Sequence, residues 1–296
     1  LNLPPSYEVL FLGGGASMQF CQVPYNLLPV DGKAAYINTG VWARNAIHEA
    51  NMFGQTAVLA SSEDANFSYI PNIPKVSDEY AYLHITTNNT IFGTQYHEFP
   101  DCDCPLVADM SSDIFSKKID ASKFDLIYAG AQKNIGPAGV TLVIVNKEIL
   151  GKTQRQIPTM LNYQTHIKNG SMFNTPPVFA VYSCYLTLQW IKKRGIAQIE
   201  TDNQAKAQLL YTEIERNSLF EPTANPKDRS TMNVTFVMNR PELEKDFLQF
   251  ALDNGCIGIK GHRLVGGFRA SLYNAMDLDG VKVLVDTMKS FEDKHA

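Results

Sequence analysis

The feature that most constrains this chain is an alternation of short apolar runs with helix-length segments through its first two thirds. The runs span residues 9–12, 34–38, 55–60, 80–85, 106–109, 126–129 and 141–145. Such alternation predicts a largely parallel sheet with helices on both faces. In sheets of this kind, ligands bind beyond the carboxyl ends of the strands.

The pattern changes after residue 178, where two long helical stretches lead into a smaller unit. The predicted elements are a helix through Trp190, a helix over 196–215, a loop over 217–230 containing Pro222 and Pro226, a strand over 233–238, a helix over 241–254, short strands near Ile257 and Arg269, and a last helix over 277–294. We therefore expect an α/β protein with a large domain over residues 1–197 and a smaller C-terminal α+β domain over residues 198–296.

Composition narrows the class of protein. Of the 296 residues, 45% are hydrophobic and 19% are charged, which is an ordinary globular balance. The net charge of −4 provides no basic surface for nucleic acid, and no apolar stretch approaches the roughly 20 residues of a membrane span. The five cysteines are odd in number and scattered, as expected of reduced thiols in the cytoplasm, and Cys102 and Cys104 have no second pair with which to bind zinc. We expect no metal, membrane or nucleic-acid partner.

A carboxylate and an amine follow two of the apolar runs. Asp109 ends the run 106–109, and Lys133 follows the run 126–129 among small residues. Taken singly, each is as typical of a solvated strand end, a turn or a helix cap. Together they form the pair that pyridoxal phosphate requires, with the lysine forming the Schiff base and the aspartate pairing with the pyridinium nitrogen. Residues 126–145 carry little other charge, so we expect burial to lower the pKa of Lys133 toward neutrality.

Three further features are compatible with a flat, phosphorylated cofactor. Three glycines, residues 13–15, follow the first strand and open a probable helix whose backbone amides could hold a phosphate, although a tight strand-to-helix connection is equally compatible. Trp42 follows a glycine turn and is either a core aromatic or a ring that stacks on the cofactor. Thr90 lies in a polar loop, where its hydroxyl either bonds the ring oxygen of the cofactor or belongs to a plain turn.

Two segments later in the chain suggest anion binding. Residues 169–177 combine small polar residues with a diproline and present Asn174 and Thr175 as candidate phosphate ligands. His262, Arg263 and Arg269 lie within eight residues of one another, and we call them the anion cluster. Because arginine forks match carboxylates and phosphates, this cluster predicts an anionic substrate.

Several long motifs resemble those of the phosphoserine aminotransferase family, class V members of the fold-type I pyridoxal phosphate enzymes. They are residues 128–139, 170–177, 260–263 and 267–275, and the match extends over essentially the whole chain. The resemblance implies the pyridoxal phosphate-dependent transferase fold. It also implies reversible amino transfer between L-glutamate and 3-phosphohydroxypyruvate, giving 2-oxoglutarate and O-phospho-L-serine for serine biosynthesis. Some relatives also aminate a phosphorylated hydroxy-oxobutyrate on the route to vitamin B6, which the sequence leaves open.

The resemblance also assigns roles around the cofactor. Lys133 carries the cofactor and moves the proton, while Asp109 keeps the pyridine nitrogen protonated. Trp42 stacks on the ring and Thr90 bonds its phenolic oxygen. The residues implied to hold the cofactor phosphate are Gly15, Ala16 and Gln132.

Further roles implied by the resemblance concern the partner subunit and the substrate. Asn174 and Thr175 reach the cofactor phosphate of the neighbouring subunit, so a homodimer is implied. Arg269 binds the substrate α-carboxylate, and His262 and Arg263 take the substrate phosphate.

The chain departs from the family pattern at two places. Some members have an arginine after the triple glycine that helps to bind the substrate phosphate, whereas this chain has Ala16. The sequence also begins at Leu1, without a methionine, a few residues before the first strand. We expect an N-terminal segment, which in the family includes a His-Arg pair of the substrate site, to be missing from it.

Rival interpretations come from the same fold and from a different class. A cysteine desulfurase requires a cysteine on a mobile loop, and Cys256 does not lie in an evident one. Alanine–glyoxylate transaminases provide no reason for the anion cluster. A non-catalytic or truncated binding protein that keeps the fold is the third alternative, and the intact pair of Lys133 and Asp109 argues against it.

Overall fold

The computed structural model describes residues 1–295 and is built around a central sheet of seven strands. The strands are β1 (Tyr7–Leu12), β2 (Lys33–Asn38), β3 (Gln55–Ser61), β4 (Leu83–Thr86), β5 (Leu106–Asp109), β6 (Leu126–Gly130) and β7 (Thr141–Asn146). Their order across the sheet is β1-β7-β6-β5-β4-β2-β3. All neighbours are parallel except β7, which is antiparallel to both β1 and β6. The expectation of a largely parallel sheet is confirmed.

Both faces of this sheet are buried. Ile85, Ala108 and Ile127 contribute to an apolar core on one face, and Val107 and Tyr128 contribute to a core on the other. Because successive side chains of a strand point to opposite faces, runs buried on both sides are apolar throughout, as these runs are. The helices of the chain are α1 (Gly15–Leu27), α2 (Val41–Ala50), α3 (Tyr163–Lys168), α4 (Val178–Arg194), α5 (Ile196–Arg216), α6 (Glu244–Asp253) and α7 (Leu278–His295).

A second sheet of three antiparallel strands follows in the C-terminal part. Its strands are β8 (Phe220–Pro222), β9 (Asn233–Met238) and β10 (Phe268–Ser271), in the order β10-β9-β8. Phe236 and Phe268 of this sheet pack with Phe247 of α6 and Phe291 of α7 in a separate core. The α+β character expected after residue 198 is thus present.

Two local predictions are wrong. The predicted loop over 217–230 contains β8, an edge strand in which Pro222 is tolerated because an edge residue needs no ladder donor on its outer side. The strand predicted near Ile257 does not form, since Gly255 and Gly258 adopt positive φ angles of 84° and 75° around it. Within residues 1–295, none of the helices has both the length and the hydrophobicity needed to cross a membrane.

Candidate active site

A cavity of about 130 Å³ lies at the edge of the central sheet where its parallel strands end. It brings together six residues that the sequence singled out: Gly15, Ala16, Trp42, Asp109, Gln132 and Lys133. Ser17, Thr86, Asn88, Ser111 and Ser112 complete its wall. The sequence analysis did not assign these last five, although Thr86, Asn88, Ser111 and Ser112 lie at or within three residues of a strand end and are polar.

Asp109 is the last residue of β5 and is only 5% exposed. The backbone N–H of Ser111 donates to its Oδ1 over 2.9 Å. Burial raises the pKa of Asp109, while the hydrogen bonds from Ser111 and the positive charge of Lys133 oppose that rise. The site therefore holds a carboxylate that would be stabilised by a cationic partner.

Lys133 follows β6 by three residues, in a tight turn in which its backbone N–H donates to Ala131 O over 2.7 Å. Burial lowers the pKa of its ammonium, and the guanidinium of Arg269 acts in the same direction. Asp109 and Asp113 counteract this with their negative charges. The direction expected from the sequence is confirmed, and a lowered pKa increases the fraction of free amine available as a nucleophile or base.

The first turn of α1 forms one wall of the cavity. Gly14 and Gly15 have φ angles of 90° and 68°, values that suit glycine and allow β1 to turn sharply into the helix. The backbone N–H groups of Gly15, Ala16 and Ser17 belong to the first helical turn, whose amides have no acceptor within the helix. Together with the positive end of the helix dipole, they favour an anion such as a phosphate.

Trp42 stands in the first turn of α2 and is joined to Thr90 by a hydrogen bond from its indole Nε1 to Thr90 Oγ1, 2.9 Å long. The helix begins after Gly40, whose φ of 145° disfavours other residues and where an added Cβ would clash with the side-chain amide of Asn89. Thr90 does not line the cavity itself. Its carbonyl accepts a hydrogen bond from Arg269 Nη1 over 3.1 Å, which connects Arg269 to the same wall.

A buried aromatic layer lies beneath the carboxylate. Tyr128 is the β6 residue in register with Asp109, and its hydroxyl is 2.8 Å from Nε2 of His84 on β4. The His84 ring stacks on Tyr36, whose hydroxyl is 2.7 Å from that of Tyr82. Burial lowers the pKa of His84 to about 3, so its imidazole is neutral, and burial together with the Asp109 charge raises the pKa of Tyr128.

Six predicted site residues do not line the cavity. Two of them, Thr90 and Arg269, are bonded to each other beside its wall, and the other four lie in two surface segments. His262 and Arg263 are in a surface turn before β10. The turn is closed by hydrogen bonds from the Val265 and Gly266 amides to His262 O. Asn174 and Thr175 are exposed in the segment before α4, where Asn174 Nδ2 donates to Thr175 O over 3.2 Å. Their assigned contacts with a substrate and with a neighbouring subunit stay predictions.

The donor set of the cavity fits pyridoxal phosphate. A buried carboxylate, Asp109, suits the protonated ring nitrogen, the amine of Lys133 suits the aldehyde, and the amides of the first turn of α1 suit the phosphate. The buried hydroxyl of Thr86, which lines the cavity, has no hydrogen-bond partner among residues 1–295. An unpaired buried polar group of this kind is costly unless a ligand satisfies it.

Comparisons with known proteins agree with this donor set. A family model described as aminotransferase class-V matches residues 1–284. The phosphoserine aminotransferase of Flavobacterium psychrophilum is 57% identical over 289 residues, which are 97% of this chain and 81% of that protein. The phosphoserine aminotransferase of Phocaeicola vulgatus is 56% identical over 299 aligned residues, covering 100% of this chain and 83% of that protein.

Solved structures are similar over the same length. The phosphoserine aminotransferase from Bacillus circulans subsp. alkalophilus has a TM-score of 0.95 and 43% identity, covering 99% of this chain and 82% of its own. The pyridoxal phosphate-bound phosphoserine aminotransferase from Trichomonas vaginalis has a TM-score of 0.91 and 34% identity, covering 98% of this chain and 84% of its own.

Proposed function

This chain belongs to the class-V aminotransferase family, and on that premise we propose that it transfers the amino group reversibly between L-glutamate and 3-phosphohydroxypyruvate. The products are 2-oxoglutarate and O-phospho-L-serine, an intermediate of serine biosynthesis. The observation that carries the proposal is the single cavity in which the half-buried amine of Lys133 and the buried carboxylate of Asp109 face one ligand space. The choice of substrates rests on the close likeness to phosphoserine aminotransferases.

Pyridoxal phosphate is the cofactor of this family, and when bound it supplies an electron-withdrawing ring and a carbonyl carbon that carries the amino group between the two substrates. Lys133 would hold it through Nζ. As a free amine, the same Nζ would accept the proton from the substrate α-carbon, a task favoured by its lowered pKa.

Asp109 would keep the pyridine nitrogen protonated, because a buried anion is stabilised by a cationic partner. Gly15, Ala16 and Gln132 bind the cofactor phosphate, Trp42 covers the ring and Thr90 donates to its phenolic oxygen. Each of these assignments gives a group in the cavity wall, or in the case of Thr90 a group bonded to that wall through Trp42, a partner of complementary charge or shape.

Arg269 binds the α-carboxylate that both substrates share. Its guanidinium lies near enough to Lys133 to lower the pKa of that amine, and it is fixed by its bond to Thr90 O. We assign the substrate phosphate to His262 and Arg263, whose turn directly precedes the strand that carries Arg269. The exposed position of Arg263 leaves its guanidinium free to meet a ligand from solvent.

We also propose a homodimer in which Asn174 and Thr175 complete the neighbouring site. Both are exposed and lie among apolar side chains that a partner would cover, since Met172 is 70% and Phe179 is 80% exposed. Sedimentation equilibrium of the purified protein should give twice the chain mass. A monomer at micromolar concentration would contradict this arrangement.

Two aspects of organisation complete the proposal. Residues 1–197 form the large cofactor-binding domain and residues 198–296 the small domain, a division supported by the separate apolar cores around the two sheets. A cytoplasmic location is supported by the five cysteines, which are all free thiols.

A second reaction on the phosphorylated hydroxy-oxobutyrate of vitamin B6 synthesis is tested by supplying the corresponding amino compound, phosphohydroxythreonine, as the amino donor.

The direct test is the visible absorption spectrum of the purified protein loaded with pyridoxal phosphate. L-Glutamate should bleach the band of the lysine-bound cofactor, and 3-phosphohydroxypyruvate should then restore it. L-Alanine with glyoxylate, substrates of other class V transaminases, serves as the control pair. A band that ignores glutamate, or that responds better to the control pair, would contradict the proposed reaction.

A further inference from the structure

A closed network of hydrogen bonds joins the cavity wall to the three-stranded sheet. Its centre is Asn88, a buried residue of the cavity wall whose Nδ2 donates to Ser112 Oγ over 2.7 Å and to Asn233 Oδ1 over 2.9 Å. The hydroxyl of Ser230 donates to Asn88 Oδ1 over 2.5 Å. Asn88 and Ser112 belong to loops after β4 and β5, whereas Asn233 begins β9.

The direction of each bond in this network is determined by its neighbours. Ser230 Oγ accepts from the backbone N–H groups of Met232 and Asn233, at 3.0 and 2.9 Å. With both lone pairs used, it has only its proton left to offer, so Asn88 must present its oxygen to Ser230. The amide nitrogen of Asn88 must then point at Asn233, which has to present its own oxygen in return.

The orientation of the Asn233 amide determines its contacts with β10 and the residues after it. Since its oxygen faces Asn88, its Nδ2 points the other way, where it lies 3.2 Å from Ser271 Oγ and 3.2 Å from Tyr273 Oη. Ser271 is the residue of β10 paired with Asn233. The side chain of Asn233 is fully buried and does not line the cavity, so it does not contact a ligand in the cavity directly.

Arg269 stands on the same face of β10 as Ser271, because residues two apart on a strand point the same way. It is paired with Thr235 of β9, whose hydroxyl donates to Phe92 O over 3.0 Å. Three contacts therefore dock this face of the small sheet onto the loop after β4. They run from Asn233 to Asn88, from Thr235 to Phe92 and from Arg269 to Thr90.

We propose that Asn233 is a positioning residue that sets where the guanidinium of Arg269 stands in the active site, acting through Ser271 and β10. The proposal rests on the assignment of the substrate α-carboxylate to Arg269. Both substrates carry that carboxylate, so a displaced guanidinium weakens the binding of each, whereas Lys133, Asp109 and the first turn of α1 keep their own supports.

The physical reason is the cost of unpaired polar groups inside the protein. Without the Asn233 amide, one donor of Asn88 and the acceptors of Ser271 and Tyr273 lose a buried partner, and the structure relaxes to recover them. The part able to move is β10, an edge strand of this sheet whose outer side is bonded only to the short segment 259–261 among residues 1–295, through Arg269 N–H to Ile259 O and Gly261 N–H to Gly267 O. A movement of about 1 Å in a binding group is enough to lower turnover efficiency markedly.

The test compares Asn233→Ala with Asn217→Ala. Asn217 is an equally well-bonded asparagine of the same C-terminal unit, 4% exposed, which bonds Glu213 Oε1 over 2.9 Å and receives a bond from the Leu219 amide over 3.0 Å. Neither of these two hydrogen bonds involves a residue of β10. Both variants should lower the thermal unfolding temperature to a similar extent, so a loss of stability alone does not distinguish them.

Three measurements on the cofactor-loaded protein decide the outcome. In Asn233→Ala the KM values for L-glutamate and 3-phosphohydroxypyruvate should both rise about tenfold while kcat changes little, and Asn217→Ala should keep wild-type values. The visible cofactor band should be the same in both variants. Calorimetric binding of glutarate, an unreactive dicarboxylate, should weaken about tenfold in Asn233→Ala alone.

Each contrary result has a clear meaning. Equal KM values and equal glutarate affinity in the two variants would overturn the positioning role, as would a fall in kcat alone. Glutarate binding separates this inference from the proposed reaction, because it requires no turnover. A wild-type protein that binds glutarate but does not transaminate would refute the reaction only, and one that does not bind glutarate would refute the inference. If Asn233→Ala does not fold, Ser271→Ala removes one acceptor of the Asn233 amide and must give the same KM pattern.

Discussion

The indole of Trp42 donates a hydrogen bond to the hydroxyl of Thr90, with 2.9 Å between Nε1 and Oγ1. The two residues are 48 positions apart and come from the first turn of α2 and the loop after β4. Since Thr90 Oγ1 acts as the acceptor of this bond, its own proton stays available for another acceptor. The bond thus orients both the indole ring of Trp42 and the hydroxyl proton of Thr90 at the edge of the cavity.

Thr90→Val keeps the shape of the side chain but leaves the Trp42 N–H without its partner, and should weaken the binding of pyridoxal phosphate by about tenfold or more. Thr90→Ser, which retains the hydroxyl, should stay within about threefold of the wild type. Fluorescence titration of the apoprotein measures both values. Equal affinities for the two variants would show that the hydroxyl has no such role.

Lys133→Ala should abolish steady-state transamination and leave the fold intact. A positioned general base alone accounts for about 10²–10⁴ in rate, and covalent attachment of the cofactor is lost as well. Because the folded protein lowers the pKa of this amine, its protonated form disfavours folding at neutral pH. The apoprotein variant should therefore unfold at the same temperature as the wild type or above it. Retained turnover would refute the role of Lys133.

Asp109→Asn should cost several orders of magnitude in kcat, because a neutral amide does not hold the proton on the pyridine nitrogen. The stability of the apoprotein should not fall with this substitution. Burial raises the pKa of Asp109 above its ordinary value of 3.8, so the stability that the protonated acid provides is lost as pH rises through the folded pKa. At pH 7 the apo variant should be at least as stable to urea as the wild type. A less stable apo variant would indicate that the carboxylate is already paired within the protein.

The buried imidazole of His84 makes the stability of the protein depend on pH. Its pKa falls from 6.5 to about 3 on folding, so below pH 6.5 the unfolded chain binds a proton that the folded chain excludes. Stability should decline as pH falls from 6.5 toward 3, with a slope of up to about 1.4 kcal/mol per pH unit from this group. His84→Gln, which can still bond the Tyr128 hydroxyl, should remove that part of the slope in urea titrations at several pH values. Parallel curves for the two proteins would contradict it.

Arg269→Ala should raise the KM of both substrates, because in the proposed assignment the α-carboxylate of each binds the same guanidinium. Loss of a charge-assisted hydrogen bond suggests an increase of about tenfold to a hundredfold. Arg269→Lys keeps the charge but not the fork, so it should lie between the wild type and the alanine variant. Steady-state kinetics with each substrate varied in turn provides the values. A change in KM for one substrate alone would place the carboxylate elsewhere.

Much of the fold follows from local patterns in the sequence. The strand over 233–238 has the predicted bounds, and the runs around Asp109 and Lys133 are neighbouring parallel strands. These elements are predictable from the sequence because burial on both faces requires an uninterrupted apolar run, and because parallel strands bring their carboxyl ends to one edge of the sheet. The proximity of Lys133 to Asp109 was predictable for the same reason.

Other features depend on contacts that no local pattern records. The bonds from Asn233 to Asn88 and Ser271 join residues 145 and 38 positions apart, and each partner is an ordinary polar residue in isolation. The strand β8 exists because β9 offers it an edge, not because its own residues favour a strand. Such features arise from tertiary pairing, which overrides the preferences of short segments.

The sheet order affects the sequence in which the strands can pair during synthesis. Among residues 1–295, β1 pairs within the sheet only with β7, so the partner strand of residues 7–12 is available only once residues 141–146 have left the ribosome. At ordinary translation rates this is a wait on the order of ten seconds. The glycine turn that follows β1 is tethered to this late-docking strand, so we expect that it cannot take its place beside Lys133 before that point. We therefore expect the cofactor cavity to form only after the entire central sheet has been synthesised, and a chain released earlier to expose unpaired apolar strands to aggregation.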